Sequence, residues 1–192
     1  GTVNASSGNI AFDGGYTQTA GALVLNGGSV SRSSGSFSIQ GGQVQGSGAI
    51  TGGVNASGTA TLAPGIGTTP GVLNVSGDLT LTSGSKLSFD IGGMTPGTQH
   101  DQIREGGTLA LNLNNAMLEV TLLGTFVPAQ GDTFTVVEAS TSAVTGSFAN
   151  AANGARLTLL GRLYSCQVNY GGSTAFPANN GSRKVILSHF AT

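Results

Sequence analysis

Leu23-Val24-Leu25-Asn26-Gly27-Gly28-Ser29-Val30 is followed, fourteen positions on, by Phe37-Ser38-Ile39-Gln40-Gly41-Gly42-Gln43-Val44. Apolar residues recur at matched places (Leu23 with Phe37, Leu25 with Ile39, Val30 with Val44), and a Gly-Gly corner ends each alternating run. Gly52-Gly53-Val54 repeats the corner after Ile50, and Leu73-x-Val75 is matched by Leu87-x-Phe89, again fourteen apart. Alternation with period two specifies a half-buried strand, and Gly turns the chain after it by reaching positive φ without a Cβ clash. Repeated strand-plus-corner units bury their faces by stacking. The pattern predicts an all-β chain wound as a right-handed parallel β-helix, a β-solenoid. Asn26-Gly27 also suits a two-residue hairpin turn, which makes an antiparallel sandwich the competing fold. No segment carries a capped 3.6-residue apolar stripe, so helix content should be minimal.

Outward from this repeat, the texture divides the chain. Residues 1–95 read as solenoid rungs with Gly-rich corners. Ala63-Pro64-Gly65 and Thr69-Pro70-Gly71 bracket a tight loop, and Met94-Thr95-Pro96-Gly97-Thr98 marks a second break. Beyond it, Ala110 to Leu123 and Thr133 to Val137 read as longer strands with fewer Gly corners and larger apolar residues. Residues 96–192 are therefore assigned to a C-terminal β-rich capping module continuous with the solenoid. Its work is to cover an end that would otherwise expose unpaired backbone and apolar rung faces. The alternating segment Arg183 to Phe190 can pair with a strand edge, in its own subunit or in the next.

Composition narrows the function. Among 192 residues there are 33 Gly, and charged residues make up 8%, against about 25% in an ordinary soluble domain. Ser, Thr, Asn and Gln supply the polar surface instead, pairing with backbone and with one another without burying an ion. With 38% hydrophobic residues the chain can bury a core. Seven basic and eight acidic residues, scattered singly for a net charge of −1, form no stripe that would neutralise nucleic-acid phosphates. No apolar run approaches the roughly 20 residues of a membrane-spanning helix. The chain begins with Gly rather than Met, which leads us to expect a processed or excised product whose export signal has already gone.

From about Ala20 onward the sequence resembles a family, and residues 46–91 carry the likeness. Gly46-Ser47-Gly48-Ala49-Ile50-Thr51-Gly52-Gly53-Val54, Leu62-Ala63-Pro64-Gly65, Pro70-Gly71-Val72-Leu73-Asn74-Val75-Ser76-Gly77-Asp78-Leu79-Thr80-Leu81 and Gly84-Ser85-Lys86-Leu87-Ser88-Phe89-Asp90-Ile91 are similar to the passenger-associated repeat of bacterial autotransporter passengers and related surface proteins. His100-Asp101-Gln102-Ile103, Phe126 to Val137, Val144 to Phe148, Val168 to Gly172 and Val185-Ile186-Leu187 resemble the module that ends such β-helices. The resemblance implies an exported, extracellular or cell-surface protein and no particular reaction. An autotransporter continues into a membrane-embedded barrel, which residues 1–192 do not contain.

No catalytic, cofactor-binding or metal-binding residue is assigned. Asp78 and Asp90 fall near matched strand ends, but Asp78 follows Gly77 at a corner, where an aspartate caps the turn backbone. Asp101 and Asp132 read as turn residues, and Glu105, Glu119 and Glu138 as solvent-facing strand residues. His100 and His189 are read as surface or structural, and Cys166 as a small buried hydrophobe. No spacing suits a metal, a nucleophile elbow or a phosphate loop, so cofactors are none. Four Asn-x-Ser sequons (Asn4, Asn55, Asn74, Asn180) are as frequent as chance gives in so Asn- and Ser-rich a chain. The functional expectation is a non-enzymatic extracellular structural protein, a rod or the repeating subunit of a filament formed by head-to-tail self-association. The alternatives are an adhesin binding cell-surface glycans, with Tyr16, Tyr164, Tyr170 and Phe176 stacking on sugars, and then a polysaccharide-active enzyme.

Overall fold

The computed structural model of the chain describes residues 1–109, 111–141, 143–161, 163–170 and 183–192. In chain order the strands are β1 (Thr2–Ala5), β2 (Asn9–Phe12), β3 (Thr17–Gln18), β4 (Ala22–Ile39), β5 (Gln43–Ala56) and β6 (Thr61–Pro64). There follow β7 (Val72–Val75), β8 (Leu79–Leu81), β9 (Lys86–Ile91), β10 (Gln102–Glu105), β11 (Leu111–Asn112) and β12 (Met117–Leu122). The last are β13 (Phe134–Ala139), β14 (Val144–Thr145), β15 (Arg156–Thr158), β16 (Ser165–Tyr170) and β17 (Lys184–Ala191). Among the described residues there is no helix, and hence none long and apolar enough to cross a membrane. Fifteen of these strands join in one curled, mixed sheet, and β11 pairs with β14 in a small second one.

Alternation decides what faces inward. One row of paired positions runs Val3, Leu23, Val44, Leu62, Leu87, Leu118 through parallel ladders, all but Val3 fully buried. A second runs Ile10, Val30, Ile50, Val75, Glu105, Ala139, and a third Phe37, Val54, Leu79. Stacking like on like buries each aliphatic side chain against the one above and below, about 1.5–3 kcal/mol of transfer free energy for a fully buried Leu or Val. Outward positions between them are small or polar, as in the row Thr17, Ser38, Asn55, Thr80.

Three expectations change here. The fourteen-residue echo is not the spacing of stacked strands: Leu23 and Phe37 both lie within β4, and Leu73 and Leu87 lie on β7 and β9, which do not pair. The echo recurs because strand and glycine corner alternate along the chain, while true partners are farther apart, Ala22 with Gln43 and Ile103 with Val137. Second, the ladders are not all parallel. β17 runs antiparallel to β13 and β16, and β16 antiparallel to β15, so the sheet is mixed at its C-terminal end. Third, the stretch 110–123 is two strands broken at Asn114 and Asn115, whose φ values of 46° and 58° place a corner there; Ala110 lies outside the described residues. Asn enters this left-handed region more readily than any non-Gly residue but a few, which let a corner form without glycine.

The two ends differ. At the N-terminal end β1, β2 and β3 pair only with β4 among the described strands, and Val3, Ile10, Phe12 and Tyr16 are half-buried against the core. Phe12 and Tyr16 meet edge-on at 4.8 Å and both contact Phe37. At the C-terminal end β17 lies across the stack within its own chain, and Phe134 packs edge-on against Phe190 at 5.3 Å. The outer edge of β12 is occupied too: Asn150 Oδ1 accepts from the Leu118 amide and Asn150 Nδ2 donates to the Leu118 carbonyl, while the Leu160 amide donates to Val120.

Candidate functional site

Where the parallel ladders give way to β17, one outward row crosses seven strands: Asn9, Ser29, Ala49, Asn74, Arg104, Glu138, Lys184. Beside it, Thr51, Ser76, Gly106 and Ser140 bring small residues to the surface. The result is a shallow trough of two joined depressions, about 350 and 220 Å³, that share Arg104, Glu105 and Ser140. Lining residues of the larger include Arg104, Glu138, Arg183 and Lys184, so three of the chain's seven basic residues meet in one place.

The charges are unevenly satisfied. Lys184 Nζ pairs with Glu138 at 3.2 Å. Arg183 donates to the Ser140 carbonyl. Arg104 stands opposite Glu138 in the ladder but donates its Nε to Gln102 Oε1 at 2.7 Å instead, leaving its terminal amino groups without a protein partner among the described residues. Glu105, next along β10, is turned the other way. It follows the inward-facing Ile103 by two residues, lies level with Val75 and Ala139, and is 2% exposed, which corrects the expectation that it faces solvent. Its Oε1 accepts from the Gly107 amide at 2.7 Å and its Oε2 is buried without a hydrogen-bond partner. Burial, helped by the nearby Asp78 charge, pushes this carboxyl above its usual range. With Glu105 buried and Glu138 the one acid at the surface among the lining residues, Arg104, Arg183 and Lys184 give the trough more basic than acidic groups at its surface.

Acidic residues that are scattered in sequence converge in space, in two pairs. Asp78 binds backbone not at its own corner but in the neighbouring layer, accepting through Oδ1 from the Thr108 and Leu109 amides, beside Glu105. A Cβ on Gly107 would fall 2.1 Å from Glu105 Oε1 and 2.3 Å from Asp78 Oδ1, so only glycine lets both carboxyls reach this backbone. Asp101 is 2% exposed and takes the Gly71 and Asp90 amides, each at 2.8 Å, which ties β9 to the start of β7; burial pushes it up to about 7. Asp78, Glu105 and Asp101 turn oxygens to backbone amides and Asp90 bonds the Thr121 side chain, whereas glycoside hydrolysis needs two carboxyls facing a sugar across roughly 5 to 10 Å. Asp132 holds a turn through the Ala129 amide, and Glu119 pairs with Lys86 at 2.7 Å.

The remaining candidates are buried or half-buried wherever they are described. His100 is buried, its Nδ1 donates to the Gly93 carbonyl at 3.0 Å, and burial lowers its proton affinity. His189 sits at a positive φ of 48° inside β17, beside Ser188. Cys166 is fully buried with its thiol pushed up to about 12, an inert group. Of the aromatics read as a sugar-stacking set, Tyr170 is buried with its hydroxyl donating to the Ala151 carbonyl, Tyr16 and Tyr164 are half-buried against the core, and Phe176 lies outside the described residues, as do Asn180, Gly171 and Gly172. The described residues hold no group of three or more His, Cys, Asp or Glu placed to hold a metal ion. A larger uncharged cleft, about 510 Å³, opens among the corner loops around Pro70, Gln99 and Phe126, and the Gln99 Oε1 in it already accepts from the Thr95 amide. No protein-family model, curated protein or solved structure matches the chain.

Proposed function

We propose that the chain is a non-enzymatic, extracellular structural element, a segment of a right-handed parallel β-solenoid rod of the kind that bacterial autotransporter passengers form. The observation that supports this reading is the asymmetry of the ends: parallel, in-register β1–β3 with an edge that no described strand pairs at one, and the antiparallel β15–β17 across the other. The unpaired edge, with its half-covered Val3, Ile10, Phe12 and Tyr16, suits one more rung of the same geometry. A head-to-tail homopolymer needs two complementary open faces, and the strand-covered C-terminal end supports the rod segment over the repeating subunit. Neutral Ser, Thr and Asn faces support a spacer exposed outside the cell, where few charges are needed.

Negative-stain imaging with sedimentation at high concentration tests this reading. Isolated particles, single or paired through the N-terminal rung, are the expected result, with no reducing sugar released from neutral or acidic polysaccharides. Long fibres of the purified chain would overturn the one-ended rod, and sugar release would overturn the non-enzymatic assignment.

A further inference from the structure

We infer that the trough at Arg104, Arg183 and Lys184 is a binding site for an anionic saccharide, with the basic side chains taking its carboxylate or sulfate groups and the flanking Asn74, Ser76 and Ser140 its hydroxyls. The inference does not depend on how the rod assembles.

Three features of the geometry lead to it. Arg104 is an exposed guanidinium with open donors, held by the Gln102 carboxamide on a rigid strand inside a sheet, and such a planar fork matches an oxyanion in bidentate fashion. Basic groups on β10 and β17 are two strands apart, one on each side of Glu138, and strands repeat about every 4.8 Å, so a chain lying across them meets cations about 10 Å apart. The buried Glu105 carboxyl is held from below by the Gly107 amide and, at 2% exposure, puts almost no competing acceptor on the trough's surface.

The same surroundings disfavour other anions. The strands beneath the trough are paired on both sides, so no edge is open for an extended acidic peptide. Among the described residues no aromatic side chain lines it for base stacking, and its apolar members Ile50 and Val75 are buried, away from any lipid surface. Hydroxyl and amide groups between spaced charges match a polyhydroxylated, repeating acid.

The test uses the full chain with three probes, dextran, dextran sulfate and polygalacturonate, titrated at low and high salt. Dextran sulfate or polygalacturonate should bind, dextran should not, and affinity should fall with salt. Binding of the sulfated probe alone assigns sulfate, binding of the uronate alone assigns carboxylate, and either supports the inference. Arg104→Gln with Arg183→Gln should weaken binding by at least about tenfold, the effect of one lost charge-assisted hydrogen bond or more. Lys86→Gln, away from the trough, should leave it unchanged, with circular dichroism confirming that all variants fold. Failure of both acidic probes, equal binding of dextran, or equal weakening by Lys86→Gln would overturn the site.

Discussion

Asp101 shows how one side chain couples the fold to pH. Its native carboxyl holds a proton up to about 7, whereas the unfolded chain releases it near 3.8. Between those values the native state binds more protons than the unfolded state, so this residue makes stability fall as pH rises from about 4 to about 7. Glu105 and Asp90, also raised by burial, act in the same direction. Asp101→Asn cannot ionise and keeps one acceptor for its two amide donors. It should be less stable than the parent at pH 4 by about 1 kcal/mol, the worth of one hydrogen bond, and the gap should close or reverse by pH 7. Urea unfolding across that range checks this, and a parent that gains stability from pH 4 to pH 7 would contradict it. The sequence marked Asp101 and Asp78 as backbone-binding carboxyls, but read each as serving its own turn or corner, because Asx chemistry is visible only locally. It did not expose that both serve the backbone of a neighbouring layer thirty residues away. Glu105 was misjudged through strand parity: Arg104 takes the outward position of β10, so its neighbour must point in.

Elements were more legible than their partners. Alternation located most strands, since apolar side chains at every second position bury one face. Of the Gly corners, Gly41-Gly42 does separate β4 from β5, but Gly27-Gly28, Gly46 and Gly52-Gly53 lie within these two strands; at Gly46, φ is 106° and a Cβ would stand 2.1 Å from the Leu25 carbonyl oxygen of the adjacent strand. The register between strands was not legible, because the fourteen-residue echo records one strand-plus-corner and the corner loops vary in length, from the tight Ile66–Thr69 turn to the loop between β9 and β10. The antiparallel ending was half-visible: the alternation of Arg183 to Phe190 marked a strand able to pair, but alternation carries no direction. How β12 ends depends on a single side chain. Asn150→Ala strips both bonds to Leu118 from an exposed strand edge and should cost about 1–3 kcal/mol, with greater self-association at high concentration. Thermal unfolding and sedimentation measure both effects, and an unchanged Asn150→Ala protein would show that β12 needs no such cover.

At the scale of the whole molecule the claim is mechanical: short parallel strands lie in register over one another, so inward side chains serve stacking and the outer faces are free to carry other work. All-β character and scarce helix were evident from composition and period, while the meeting of Arg104 with Arg183 and Lys184 was hidden, since those residues are brought together by three strands from distant parts of the chain. The measurement that tests the claim most directly is disulfide mapping in a Cys166→Ser background, with pairs of cysteines placed at outward positions. Gln45→Cys with Ala63→Cys, Asn55→Cys with Thr80→Cys, and Asn74→Cys with Arg104→Cys each join partners in parallel ladders, within the reach of a disulfide. All three pairs should close within one chain on oxidation, and Val24→Cys with Ser29→Cys, which a hairpin at Asn26-Gly27 would bring face to face, should stay reduced. Closure of that fourth pair with the other three left open would mean that the strands fold back on their neighbours, and the stacked arrangement would be wrong.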